Sequence, residues 1–152
     1  MSAPPLPGLW IENCQEDRPV DLSRLEAVAG PALREVWSRT GAMAAPGAMP
    51  MEELEVSLVG EEEICRLHEE FLNDSSPTDV ITFEHGELII GVEAAVIEAA
   101  ARNWPLEREL LLYVIHGLLH LRGWNDEEPG EAERMRRLQE EILDSVWPHG
   151  GG

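Results

Sequence analysis

The sequence predicts an α+β domain with a small mixed β-sheet and helices packed on it. Three observations carry that class. Segments with the two-residue apolar period of strands are interleaved with segments of helical period. One helical segment, 106–121, is apolar nearly all round, as a central buried helix is. And 152 residues are most simply one domain, 1–152, able to bury about 68–70% of the unfolded surface without a disulfide or metal.

In chain order, LWIEN (9–13) reads as a short strand. Residues 22–38 read as a helix with the apolar stripe Leu25, Val28, Ala29, Leu33 and Val36, which Pro31 kinks or breaks in two. The Gly-, Ala- and Pro-rich stretch 40–51 has no period and reads as an exposed loop. LEVSLV (54–59) turns Leu54, Val56 and Leu58 to one face, a half-buried strand, and 61–72 follows as a helix. TDVITF (78–83) and ELII (87–90) form two strands joined by a turn at His85-Gly86. An Ala-rich helix spans 92–103, and Pro105 suits the first turn of the central helix. Gly123 stops that helix, and 131–146 closes the chain as a helix with the stripe Met135, Leu138, Ile142, Val146.

Thirty acidic residues face eleven basic ones, all arginine, for a net charge of −19. That field repels polyanions at long range and argues against a protein that wraps DNA or RNA in positive charge. It leaves room for a local site built on a metal. The N-terminus lacks the basic and apolar regions of a secretory signal, and the longest nearly apolar run, 110–121, is too short to span a membrane. Cys14 and Cys65 have no metal-type spacing. The expectation is a cytoplasmic protein with free thiols, a chance disulfide between them staying open.

The stretch HGLLHLRGWND (116–126) carries the chemistry. On a helix His116 and His120 lie on one face, about 5–6 Å apart at Cβ, and can converge on one ion. Gly123 can then turn the chain so that Asp126 supplies a third, oxygen ligand. Taken alone, a pair of histidines four apart is a weak signal, and two hydrogen-bonded core histidines fit it as well. Asp126 with Glu127 and Glu128 also reads as a solvated acidic loop. The zinc-peptidase pattern H-E-x-x-H has a glutamate base after its first histidine. Here Gly117 stands in that place, either leaving space beside the ion or admitting another backbone.

HGLLHLRGWND resembles the signature H-G-x-L-H-L-x-G-Y-D-H of the YbeY family of metal-dependent endoribonucleases. LHEEFLNDSSPTDVITF (67–83) is similar to that family's L-N-x-x-(Y/F)-R-x-x-D-x-P-T-D-V-L-S-F, and GELII (86–90) to its G-D-I-x-I strand. The resemblance spans roughly 54–145. It implies a zincin-like fold with a metal-binding central helix and one zinc ion; two histidines with one carboxylate accept iron or another divalent metal as well. It further implies cleavage of single-stranded RNA, 16S rRNA 3′-end maturation and ribosome quality control. The implied partners are ribosomal RNA, the ribosome or a basic ribosomal protein, and an Era-type GTPase, with no DNA and no membrane.

His116 and His120 carry over as zinc ligands; the family's third histidine falls on Asp126, its arginine on Leu72 and its asparagine on His68. Two imidazoles and a carboxylate leave an ion near +1 where three imidazoles leave it at about +2, so a coordinated water is less acidic. Leu72 cannot pair with a phosphate as a guanidinium does. Either Arg66, Arg122 or another arginine replaces it, or activity is reduced. Thr78 and Asp79 either line the substrate groove or cap the strand. His68 and His85 read as surface or turn residues. Arg134, Arg136 and Arg137 read as a salt-laced surface through Glu133–Arg137, Arg136–Glu140 and Arg137–Glu141.

The leading expectation is a zinc-dependent endoribonuclease acting through His116, His120 and Asp126, with Thr78, Asp79 and Arg122 as candidate substrate contacts. A ribosome-assembly binding factor that keeps the metal is the alternative, and a metallopeptidase the third.

Overall fold

The computed structural model describes residues 6–41, 52–72 and 80–148, the side chains of 71 and 72 excepted. The sequence-predicted contacts Thr78 and Asp79 and the side chain of Leu72 therefore fall outside the described residues. The order of elements is β1 (Gly8–Asn13), α1 (Leu22–Thr40), β2 (Glu53–Val59), α2 (Glu61–Leu72), β3 (Val80–Phe83), β4 (Glu87–Gly91), α3 (Val92–Arg102), α4 (Leu106–Leu121) and α5 (Pro129–Val146).

The sheet is mixed, in the order β1-β2-β4-β3. β1 and β4 both run parallel to β2, and β3 runs antiparallel to β4. The β3–β4 hairpin closes with Gly86 N–H donating to the Phe83 carbonyl at 2.9 Å. Gly86 itself has φ 105°, the left-handed residue that three-residue hairpin loops need. The two faces of the sheet differ. Leu54, Val56, Leu58, Leu88 and Ile90 join one core with α1, α4 and α5. On the other face Val59, Ile81 and Ile89 form a smaller core with Ile64 of α2. β4 lies between two strands and is covered on both faces, so its apolar run is continuous instead of alternating.

The central position of α4 follows from its composition. Every residue from Leu110 to Ile115 is buried, as are Gly117 to Leu119 and Leu121. Pro105 is its N-cap, one position before the first-turn place that its fixed φ suggests. Two carboxylates enter the core at its start. Glu107 accepts from the Asp21 backbone N–H at 3.0 Å, and Glu109, 0% exposed, lies 3.7 Å from Arg102.

α1 is one helix through Pro31, so of the kink or break expected there, the break into two pieces does not occur. Its proline forfeits one backbone hydrogen bond, but Val28 and Ala29 before it and Ala32 and Leu33 after it are all buried in the same core. That shared burial holds both halves in one helix. α1 starts on the Asp21 side chain, which accepts from Arg24 N–H at 3.1 Å.

Candidate metal centre

The centre is built by how α4 ends. Trp124 N–H donates to the Leu119 carbonyl at 3.0 Å and Gly123 N–H to the His120 carbonyl at 2.9 Å. With Gly123 at φ 94°, this is a Schellman turn, which places a glycine one residue past the cap because other side chains resist that backbone. The turn reverses the chain over the last turn of α4. It aims the Trp124 carbonyl at His120 Nδ1, 3.0 Å away, and brings Asp126 back over the histidines.

The helix spacing does the rest. His116 Nε2 and His120 Nε2 are 3.0 Å apart, with the rings edge to face. Asp126 Oδ2 lies 3.7 Å from the first and 3.8 Å from the second. Four tetrahedral bonds of about 2.0–2.1 Å to nitrogen or oxygen put neighbouring ligand atoms about 3.3–3.4 Å apart, so shifts of a few tenths of an ångström suit these atoms to one ion. On their far sides both rings have acceptors: the Trp124 carbonyl for His120, and Gln139 Oε1, 2.9 Å from Nδ1, for His116. An Nδ1–H held this way turns a bare Nε2 lone pair inward, the form a metal requires. Burial pushes the His120 pKa below the ordinary histidine range and the adjacent His116 adds to that, against smaller opposing effects of Asp126 and the Trp124 carbonyl. His120 is thus neutral and available as a ligand near pH 7.

Among the described residues, His116, His120 and Asp126 form the one group of three or more such side chains able to hold a metal ion, their ligand atoms lying within 4.8 Å of one another. Gln139 escaped the sequence reading. The signal for it was a polar residue inside the apolar stripe of α5, four after Met135 and three before Ile142.

Gly117 faces the sheet. A Cβ there would stand 2.7 Å from Leu88 Cδ2 and 2.9 Å from Leu88 Cδ1. The glycine admits a buried leucine of β4, neither opening space at the ion nor admitting a backbone. A glutamate at this position would drive into the core.

The other singled-out residues lie elsewhere. Arg122, the C-cap of α4, stacks on Trp37 with its guanidinium carbon 4.6 Å from the ring centroid. It donates to Thr40 Oγ1 at 3.0 Å and to the Gly41 carbonyl at 3.4 Å, so it ties α4 to the end of α1. Arg66 is held by Glu63 and Glu70. His85 is an exposed turn residue stacked on Phe83, and His68 is half-buried on α2. Glu133 binds Arg136 and Arg137, which bring its carboxyl down to about 2. Arg136 also meets Glu140. The expected Arg137–Glu141 pair gives way to Arg39–Glu141, 3.2 Å, because α1 packs alongside α5. Cys14 and Cys65 are both free.

Comparison with known proteins meets this geometry. Residues 10–147 match the family model described as Endoribonuclease YbeY. The chain belongs to the YbeY endoribonuclease family. A relative named Endoribonuclease YbeY from Symbiobacterium thermophilum is 30% identical over 152 residues, covering 89% of this chain and 94% of that one. One of the same name from Aromatoleum aromaticum is 37% identical over 98 residues, 60% of this chain and 64% of its own length. A chloroplastic YbeY endoribonuclease of Arabidopsis thaliana matches 64% of this chain at 36% identity, over only 19% of its own length. The solution structure of TM1509 from Thermotoga maritima superposes with a TM-score of 0.60 over 95% of this chain and 99% of that one. At 24% identity it speaks for the fold alone. The YbeY span contains both the histidine helix and the turn that returns Asp126 to it.

Proposed function

We propose that this YbeY-family chain is a metal-dependent endoribonuclease that cleaves single-stranded RNA, with ribosomal RNA as its substrate class. The observation that carries the reading is the convergence of His116 Nε2, His120 Nε2 and Asp126 Oδ2 within a span that matches a family of endoribonucleases. Two imidazoles and one carboxylate suit zinc, and iron or another divalent ion as well. When bound, such an ion acidifies water and polarises a phosphoryl oxygen. The protein's part is to fix the three ligands: the Schellman turn holds Asp126 and His120, and Gln139 holds His116. By family analogy the work lies in 16S rRNA 3′-end maturation and ribosome quality control in the cytoplasm, alongside an Era-type GTPase.

A second reading is a ribosome-assembly factor that retains the metal, cleaves weakly and binds a basic ribosomal protein. It is favoured by the arginines. Leu72 stands at the family's arginine position, and the two candidate replacements, Arg66 and Arg122, are engaged with Glu63 and Glu70 and with Thr40, Gly41 and Trp37. A metallopeptidase fits poorly, since the position of its glutamate base is packed on Leu88. Among the described residues no helix is long and apolar enough to cross a membrane.

The test is cleavage of single-stranded RNA by purified protein, with and without chelator, beside His116→Ala and Asp126→Ala. Cleavage by the untreated protein alone is expected. Equal cleavage in all four samples would contradict the proposal, and co-purification with ribosomes without turnover on any RNA would favour the second reading.

A further inference from the structure

The two histidines are oriented by different kinds of partner. His120 Nδ1 faces the Trp124 carbonyl at 3.0 Å. A backbone carbonyl only accepts, so in the neutral ring the hydrogen sits on Nδ1 and Nε2 is a bare lone pair. His116 Nδ1 faces the Gln139 side-chain amide at 2.9 Å, and an amide offers an acceptor oxygen or, turned over, a two-hydrogen donor. Between the rings the two Nε2 atoms stand 3.0 Å apart. Two bare lone pairs at that distance repel. The contact is favourable with a cation between them, or with a hydrogen on His116 Nε2 donated to His120 Nε2.

Each case asks something different of Gln139. With an ion bound, His116 carries its hydrogen on Nδ1 and donates to Gln139 Oε1. With no ion, the hydrogen moves to Nε2, Nδ1 becomes an acceptor, and only the flipped amide can donate to it. The ring stays neutral in both, losing one proton to water and taking one from water.

We infer that Gln139 is a positioning residue whose amide flips to serve the histidine pair in both its metal-bound and metal-free forms, making the ion exchangeable. The inference rests on the reading of His116, His120 and Asp126 as metal ligands. It assigns a role to α5, which reaches the centre through this contact. An ionised carboxylate at position 139 can only accept, so it matches the metal-bound form and not the metal-free one. An apolar side chain matches neither.

The experiment reads ring tautomers in the full-length wild-type chain by long-range nitrogen–proton NMR, after chelator treatment and again with one equivalent of zinc. His116 is expected as the Nε2–H tautomer without zinc and the Nδ1–H tautomer with it, His120 as Nδ1–H throughout. In parallel, competition with a chromophoric chelator should show zinc held about tenfold or more tightly by Gln139→Glu and about 10–100-fold more weakly by Gln139→Leu. An unchanged His116 tautomer, or Gln139→Glu holding zinc no more tightly than wild type, overturns the inference while leaving the metal site in place. No zinc uptake by the wild type overturns both. The tautomer measurement needs no substitution, so a variant that fails to fold leaves it decisive.

Discussion

At His120, burial and the neighbouring His116 both act against a positive charge, and Asp126 offsets them only in part. In metal-free protein that has a sign. The unfolded chain binds a proton at the ordinary histidine pKa of about 6.5, and the folded chain binds it only at lower pH. Stability therefore rises with pH across that window and is lost as pH falls through the folded value. Denaturant titrations of chelator-treated protein between about pH 5 and 8 should show the midpoint falling on the acid side. The slope should be smaller in His120→Gln. An equal slope in that variant would place the acid sensitivity elsewhere. Helix geometry and the glycine-stopped turn made the grouping of His116, His120 and Asp126 possible to read from sequence, but it was the aligned family signature that singled the three out from core histidines and an acidic loop. Gln139 was not, since its contact joins residues 23 apart on two helices and depends on how α5 docks on α4.

The helix α4 works at two faces, and Gly117 and His116 divide them. The histidines look toward the turn and α5, while the next residue packs on β4. Gly117→Ala gains about 1 kcal/mol of helix propensity but forces its methyl into Leu88, which is 0% exposed. Overpacking typically costs about 1–3 kcal/mol. Leu88 Cγ is itself only 3.3 Å from the added Cβ, so turning the leucine's terminal methyls about χ2 leaves a tight contact. A net loss of about 1 kcal/mol is expected in chemical denaturation, with part of it recovered in the background Leu88→Ala. A Gly117→Ala protein as stable as wild type would mean that the sheet yields there. Most element types were readable from their periods. Pro31 does not break α1 because its local backbone cost is outweighed by a core shared along the helix, a tertiary effect that no local window contains. β4 read as a strand, but its burial on both faces followed only from its place between β2 and β3.

For the whole molecule, a net charge of −19 and a polyanionic substrate repel each other. The proposed site must then gain its affinity locally, against an unfavourable long-range field. Salt shortens that field from about 30 Å at 0.01 M to about 8 Å at 0.15 M. The expected result is a several-fold rise in kcat/KM on short single-stranded RNA over that range. A basic nuclease shows the reverse as counterion release weakens binding, and a steep fall here would show that an arginine surface dominates recognition. Fold class was within reach of the sequence, because strands, helices and the buried centre each left a periodic trace. Strand order was not, since pairing β1 and β4 to either side of β2 leaves no period in the chain.

The claim on which the rest depends is that His116, His120 and Asp126 hold one ion. Zinc titration of metal-stripped wild type, His120→Ala and Asp126→Ala against a competing chelator tests it most directly. The account predicts one equivalent bound by wild type, and affinity reduced by at least about tenfold in each variant. Wild type that binds no zinc, or variants that bind it as tightly, would contradict it.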